Sequence, residues 1–216
     1  MTKQEAKQLI VDVTKKLYAK DMLNQFEGNV SMRFEDRYLI TPSQADKATL
    51  SADMIVEIDE DGNTLNPECG TRASSEYKMH LQAYKVRPDV NAVIHDHSTY
   101  ATAFAVAGQP IATRAFAEML EIFQEVPVVP YGTPGTPEIA KGFAQYLPEY
   151  NAVLLENHGF LAVAPDLPLA FSIAEAVEKS AKILILARLL GGEKALPDEE
   201  VALLKAIAEK RKPKKQ

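Results

Sequence analysis

Two apolar runs of strand character, far apart in the chain, end in histidine: Ala92-Val93-Ile94-His95-Asp96-His97 and Leu154-Leu155-Glu156-Asn157-His158-Gly159. Apolar strands that carry polar groups at their C-terminal ends suit α/β and α+β sheets, which gather chemistry there. A strand alternates its side chains between two faces, so His95 and His97 share one face and Asp96 turns to the other. These two segments hold three of the chain's four histidines. Three neutral imidazoles suit one divalent ion and leave at least one coordination position for a carboxylate, water or substrate, the arrangement of a catalytic rather than a structural site. The first expectation is therefore a metalloenzyme.

Around these runs the pattern is mixed. Thr2 with Glu5 makes a capping box, and Leu9, Ile10, Val13, Leu17 and Tyr18 follow at helical spacing, which predicts a helix over 3–20. Residues 28–33 and 37–41 predict two strands around a polar turn at Glu35-Asp36, and 54–58 with Asp61-Gly62 predicts a further hairpin. Ser74-Ser75-Glu76 precedes a helix running toward Arg87-Pro88. After the first histidine strand the pattern predicts a helix over 100–107 closed by Gly108, a strand over 126–129, a helix over 137–146, and a strand pair over 152–163 turning at Asn157-His158-Gly159. Two helices follow, over 167–190 and 198–210. The whole chain, 1–216, reads as one domain, with 211–216 a mobile charged tail.

A net charge of −6 and the lack of a basic stripe before the last residues argue against a nucleic-acid surface. Cys69 is the only cysteine, so no intrachain disulfide forms, and a cytoplasmic location is the default. No apolar run approaches the roughly 20 residues of a membrane span, and residues 1–5 lack the apolar core of a signal peptide. Ser74 and Ser75 at a helix start, with Asn29 on a glycine turn, make an anion cradle that requires no lysine.

Gly28-Asn29-Val30-Ser31, Thr41-Pro42-Ser43, Ala73-Ser74-Ser75-Glu76, His95-Asp96-His97 and Asn157-His158-Gly159 occur in that order. In these motifs the chain resembles the class II aldolase/adducin family, and within it the branch acting on fuculose-phosphate-like ketose 1-phosphates. The resemblance runs from the first helix to the long helix ending near Gly192. It implies a three-layer α/β fold of the α+β type, a central mainly antiparallel sheet flanked by helices, assembled as a homotetramer with active sites between subunits. It implies zinc, or another divalent metal such as manganese, held by His95, His97 and His158. Glu76 would be a further ligand in the resting site and the acid/base that moves a proton at the substrate carbon. Gly28, Asn29, Ser43, Gln44, Ser74 and Ser75 would line the substrate phosphate. The implied reaction is retro-aldol cleavage of a ketose 1-phosphate, fuculose-like or a deoxy or methylthio pentulose phosphate, to dihydroxyacetone phosphate and an aldehyde.

Several positions depart from the pattern. Phe26 replaces a threonine of the phosphate loop, Gln44 stands where glycine is usual, and Phe116 replaces a tyrosine that helps protonate the substrate. No tyrosine follows Tyr150. The resemblance makes Glu118 the candidate substitute, because a related branch of methylthioribulose-phosphate dehydratases looks similar there and uses a glutamate; the alternative reading is a solvated glutamate on a helix face. Tyr131 sits in a Pro-Tyr-Gly-Thr-Pro-Gly loop that reads as shaping a subunit boundary. His80 has no counterpart among the motifs and reads as a packed or surface histidine. Sugar-phosphate 4-epimerases, decarboxylases and dehydratases of the same superfamily are the alternative enzymatic readings. A non-catalytic adducin-like domain would predict eroded histidines, and all three are intact.

Overall fold

The computed structural model of the protein describes residues 1–211. Helix α1, Lys3–Ala19, begins with the expected capping box: Glu5 N donates to Thr2 Oγ1 at 3.2 Å, and Thr2 N donates to the Glu5 carboxylate at 2.6 Å. Strands β1 (Asn29–Phe34) and β2 (Arg37–Ile40) form a hairpin over Glu35-Asp36, and β3 (Val56–Ile58) follows. Helix α2 (Tyr77–Val86) leads into β4 (Ala92–Asp96) and then α3 (Thr99–Val106), which Gly108 closes at φ +62. Next come β5 (Ile111–Ala112), α4 (Ala117–Ile122), β6 (Glu125–Val126), β7 (Val128–Val129) and α5 (Phe143–Tyr146). Strands β8 (Ala152–Leu155) and β9 (Gly159–Ala164), then α6 (Leu167–Leu189) and α7 (Asp198–Arg211), complete the order.

Seven strands make one sheet in the order β3-β2-β1-β4-β9-β8-β7, antiparallel at every pairing except the parallel edge pair β7–β8. A small second sheet pairs β5 with β6. The alternation of the central strands sorts the core into two layers. Val30, Ile94 and Ala162 pack on the side of α1, α3 and α6, while Val93, Leu161 and Val163 pack on the side of α2 and α5. Strands covered on both faces read as near-continuous apolar runs, as β4, β8 and β9 do. The sheet is thus the expected mainly antiparallel one between helices. No helix among the described residues is long and apolar enough to cross a membrane.

Four sequence expectations are corrected. The strand predicted over 126–129 is two, because Pro127 lacks the N–H a ladder needs: Val126 pairs with β5 and Val128 with β8. The helix predicted over 137–146 is a 3-10 turn, Pro137–Ala140, and the short α5, with Gly142 pressed against β7 between them. The strand predicted from Met54 starts at Val56, after a 3-10 turn at Ala52–Met54. Arg211 belongs to α7 rather than to the tail, and residues 212–216 lie outside the described residues.

Candidate active site

The β8–β9 hairpin and the end of β4 bring the histidines together. His95 sits opposite Leu161 and Asp96 opposite Phe160, so the tip of the hairpin lies beside the last residues of β4. Asn157 takes φ +55 at that tip, and its N–H donates to Ala105 O of α3 at 3.2 Å. His97 lies one residue past β4, where its N–H donates to Met22 O at 3.3 Å. The ring centroids of His95, His97 and His158 are 4.7 to 5.0 Å apart, and one nitrogen from each lies within 4.8 Å of the others.

Gly159 makes the convergence possible. A Cβ there would stand 2.6 Å from Asp96 O, 3.3 Å from His95 Cε1 and 3.4 Å from His97 Cδ2. Gly159→Ala is expected to push the β8–β9 tip away from the Asp96 carbonyl at the end of β4, spread the histidines and lower divalent-metal affinity about 10- to 100-fold, the range for losing groups that orient ligands. Metal titration of the folded variant checks this; unchanged affinity would mean the tip accommodates the methyl.

The donor set fits a divalent cation. His95 Nδ1–H donates to Phe160 O at 2.8 Å, which leaves the Nε2 lone pair facing the cluster. Burial lowers the His95 pKa to about 4, and burial with its histidine neighbours lowers that of His97 to about 3, so both imidazoles are neutral near pH 7. Their Nε2 atoms stand 2.9 Å apart. Since His95 Nδ1 carries the hydrogen, His97 Nε2–H donates to His95 Nε2 in the metal-free site, and a divalent ion held by these rings would take up both lone pairs with that proton released from His97 Nε2. His158 Nδ1 is buried with no hydrogen-bond partner among the described residues. The fourth donor is Glu76, with Oε1 3.2 Å from His158 Nε2 and Oε2 3.4 Å from His95 Nε2. Three imidazoles and a carboxylate suit zinc, manganese and their neighbours.

Glu76 occupies the N-cap position of α2 with no side-chain cap, so Ser74 and Ser75 do not cap the helix as expected; Ser74 Oγ instead accepts from Glu76 N at 3.3 Å. Burial opposes ionisation of Glu76. His95, His158 and Asn29 outweigh it and hold the carboxyl well below the usual range. Asn29, opposite His95 in the sheet, donates Nδ2–H to Glu76 Oε2 at 2.8 Å.

Behind this contact runs a chain of hydrogen bonds. Since the Asn29 nitrogen is committed to Glu76, its Oδ1 faces His80 Nε2 in a short contact, and that nitrogen must carry the hydrogen. His80 Nδ1 then accepts from Ser31 Oγ at 2.7 Å, and Ser31 accepts from Tyr84 OH at 2.8 Å. His80 is buried, as expected of a packed histidine, but it also fixes which way the Asn29 amide points. The sequence signal was there: Glu76 and His80 lie one helical turn apart, and Asn29 and Ser31 share one face of a strand.

Burial lowers the His80 pKa from 6.5 to about 4. Between those values the unfolded chain binds more protons than the fold, so the stability contributed by neutral His80 is complete above pH 6.5 and lost as the pH falls toward 4. Asp96, whose pKa burial raises to about 7, acts in the opposite sense. Comparison with His80→Gln, which keeps a donor toward Asn29, isolates the histidine. The slope of unfolding free energy against pH in this window is expected to flatten by on the order of 1 kcal/mol per pH unit in the variant. Parallel curves from denaturant titrations would refute it.

Beside Glu76 lies a cavity of about 130 Å³. It gathers the expected Gly28, Asn29, Ser43, Gln44, Ser74 and Ser75. An isolated bridge, Pro42 to Ala73, ties its two walls together. Gly28 is at φ +76, where a Cβ would strike Leu23 Cδ2 at 2.0 Å. Gln44 is at φ +55, the left-handed region that explains why glycine is usual there. Phe26 stands exposed at the rim, and Lys47, which the sequence reading passed over, lines the wall.

The remaining candidates lie elsewhere. Asp96 turns to the α6 side, where its Oδ1 accepts from Ser98 N at 3.0 Å and Ser98 Oγ at 2.7 Å. Glu118 is exposed on the first turn of α4 and makes no hydrogen bond or ion pair among the described residues. Phe116 is half-buried just before it. Tyr131 is exposed, and its N–H donates to the Glu156 carboxylate at 2.9 Å.

Known proteins resemble this chain in sequence and fold. Residues 8–185 match the family model described as Class II Aldolase and Adducin N-terminal domain. A 5-methylthioribulose-1-phosphate/5-deoxyribulose-1-phosphate aldolase of Escherichia coli O45:K1 is 34% identical over 176 residues, covering 82% of this chain and 81% of the relative. A 3-oxo-tetronate 4-phosphate decarboxylase of Haemophilus influenzae is 32% identical over 208 residues, covering 93% and 96%. The solved structure of an L-fuculose 1-phosphate aldolase superposes with a TM-score of 0.85 at 38% identity over 95% of each chain.

Proposed function

Because the chain belongs to the class II aldolase and adducin family, we propose that it is a divalent-metal-dependent aldolase that cleaves a ketose 1-phosphate to dihydroxyacetone phosphate and an aldehyde. The observation that carries this reading is Glu76: one carboxylate touches two of three convergent histidines and borders the adjoining cavity. His95, His97 and His158 hold the metal, with Glu76 a resting ligand, and zinc is the ion a compact three-imidazole site suits first, manganese second. When bound, the ion supplies Lewis-acid stabilisation of negative charge on the substrate's carbonyl and adjacent hydroxyl oxygens.

Gly28, Asn29, Ser43, Gln44, Ser74 and Ser75 seat the phosphate, which fixes the substrate relative to Glu76. The bond that breaks joins C3 and C4, its electron pair passing to C3 as the C4 hydroxyl loses its proton to become the aldehyde. Glu76 handles the proton at C3, returning it in cleavage and removing it in condensation, where an ionised carboxylate is the required base. Glu118, exposed and without an ion pair or hydrogen bond among the described residues, is the candidate for the second proton role in a neighbouring subunit's site.

We read residues 1–216 as one domain of a cytoplasmic homotetramer with intersubunit sites. Leu186, Leu189 and Leu190, exposed together at the end of α6, support association. The decisive assay offers the metal-loaded protein fuculose, rhamnulose, ribulose, 5-deoxyribulose and methylthioribulose 1-phosphates and detects dihydroxyacetone phosphate. Release of triose phosphate from one of them is expected. Carbon dioxide from a 3-oxo acid phosphate, with no triose phosphate from any ketose, would replace the aldolase by a decarboxylase.

A further inference from the structure

We propose that the Lys47 side chain is the cationic contact of the substrate's phosphate. This rests on the ketose-phosphate reading above and adds a residue to it.

Lys47 belongs to the loop after β2 and is 2% exposed. It makes no ion pair or hydrogen bond among the described residues, which is unusual, because a buried ammonium is normally paired. The fold pairs its other buried lysine, Lys7, with Glu57 at 2.9 Å. The acid beside Lys47 in sequence, Asp46, is already engaged: its carboxylate accepts from Ala48 N at 2.9 Å and Thr49 Oγ1 at 3.3 Å. Lys47 lines the cavity beside Glu76, and these two are the only charged residues among its described lining. Burial pushes the Lys47 pKa down, the signature of a cation without a counter-charge.

The rest of the cavity complements an anion. Ser43, Ser74 and Ser75 bring hydroxyls to its wall, and the start of α2 brings the positive end of a helix. At about 130 Å³ it exceeds roughly tenfold the space one water needs, so a phosphate-sized group enters. A phosphate monoester carries about −1.5 to −2 charges at neutral pH. Glu76 repels it, and Lys47, the other charged residue of the described lining, offers a charge-assisted contact stronger than the neutral donors'. The preference that follows is for a dianionic phosphate over the unphosphorylated sugar.

The test uses the full-length, metal-loaded protein with inorganic phosphate as probe. Calorimetric affinity and the phosphate-induced rise in Tm are compared for wild type, Lys47→Met and Lys47→Arg, alongside KM and kcat for whichever ketose phosphate is cleaved. Lys47→Met is expected to weaken phosphate binding and raise KM about 10- to 100-fold, the range for a charge-assisted contact, with a smaller change in kcat. Its Tm without phosphate should equal or exceed that of wild type, since an unpaired buried charge is removed, and should barely respond to added phosphate. Lys47→Arg should retain most of the affinity. Wild-type phosphate affinity in Lys47→Met would overturn this proposal and leave the aldolase reading standing. A wild-type protein that binds no phosphate and cleaves no ketose phosphate would overturn both.

Discussion

Glu76→Gln is expected to lower the rate of aldol cleavage about 10²- to 10⁴-fold, the usual contribution of a positioned acid/base, in a protein that still folds. Glutamine has the same shape and offers an oxygen to the Asn29 amide, so the contact at 2.8 Å survives. What disappears is a group able to take and return a proton. The measurement is kcat at verified metal content, together with solvent-deuterium exchange into dihydroxyacetone phosphate, which reports proton transfer at carbon without waiting for bond formation. Both should collapse together. Exchange at the wild-type rate in the variant would move the proton-transfer role to another residue, with Glu118 the first to try.

Removing the metal or one of its ligands has the other large consequence. Chelation, or His97→Ala, is expected to abolish cleavage. Metal present at about 100 times its Kd stabilises the fold by about 2.7 kcal/mol, so the stripped protein should also melt at a lower temperature. The acid limit of metal retention follows from the histidines. At His95 and His97 protonation competes with the ion near the folded pKa values, about 4 and about 3, rather than at the ordinary 6.5. Elemental analysis after equilibration should find the ion retained at pH 6 and progressively lost as the pH approaches 4. Loss of half the metal near pH 6.5 would mean that the imidazoles are not shielded as the fold implies.

Much of this architecture was legible in sequence because its signals are local. The Thr2–Glu5 capping box, the hairpin over Glu35-Asp36 and the apolar runs of β4, β8 and β9 each declare themselves within a few residues. The convergence of His95, His97 and His158 was legible for the same reason, since each stands at the end of such a run. Pro127 and Gly142 broke elements that periodicity alone runs together, one by withholding a donor and the other by packing too close for a side chain. His80 packs as expected, but its hold on Asn29 is tertiary: spacing pairs Glu76 with His80 and Asn29 with Ser31, and only the folded sheet sets one pair against the other. Lys47 was passed over because nothing near it in the chain announces that its ammonium lacks a counter-ion.

The placement of the histidines on β4 and at the β8–β9 tip also has a kinetic side. His95 and His158 meet only after β4 has paired with β9, a contact between segments distant in the chain, and such pairings form late because the intervening loop must close first. An ion held by all three histidines would therefore bind with full affinity only once β4 and β9 have paired, and metal loading would report a finished sheet.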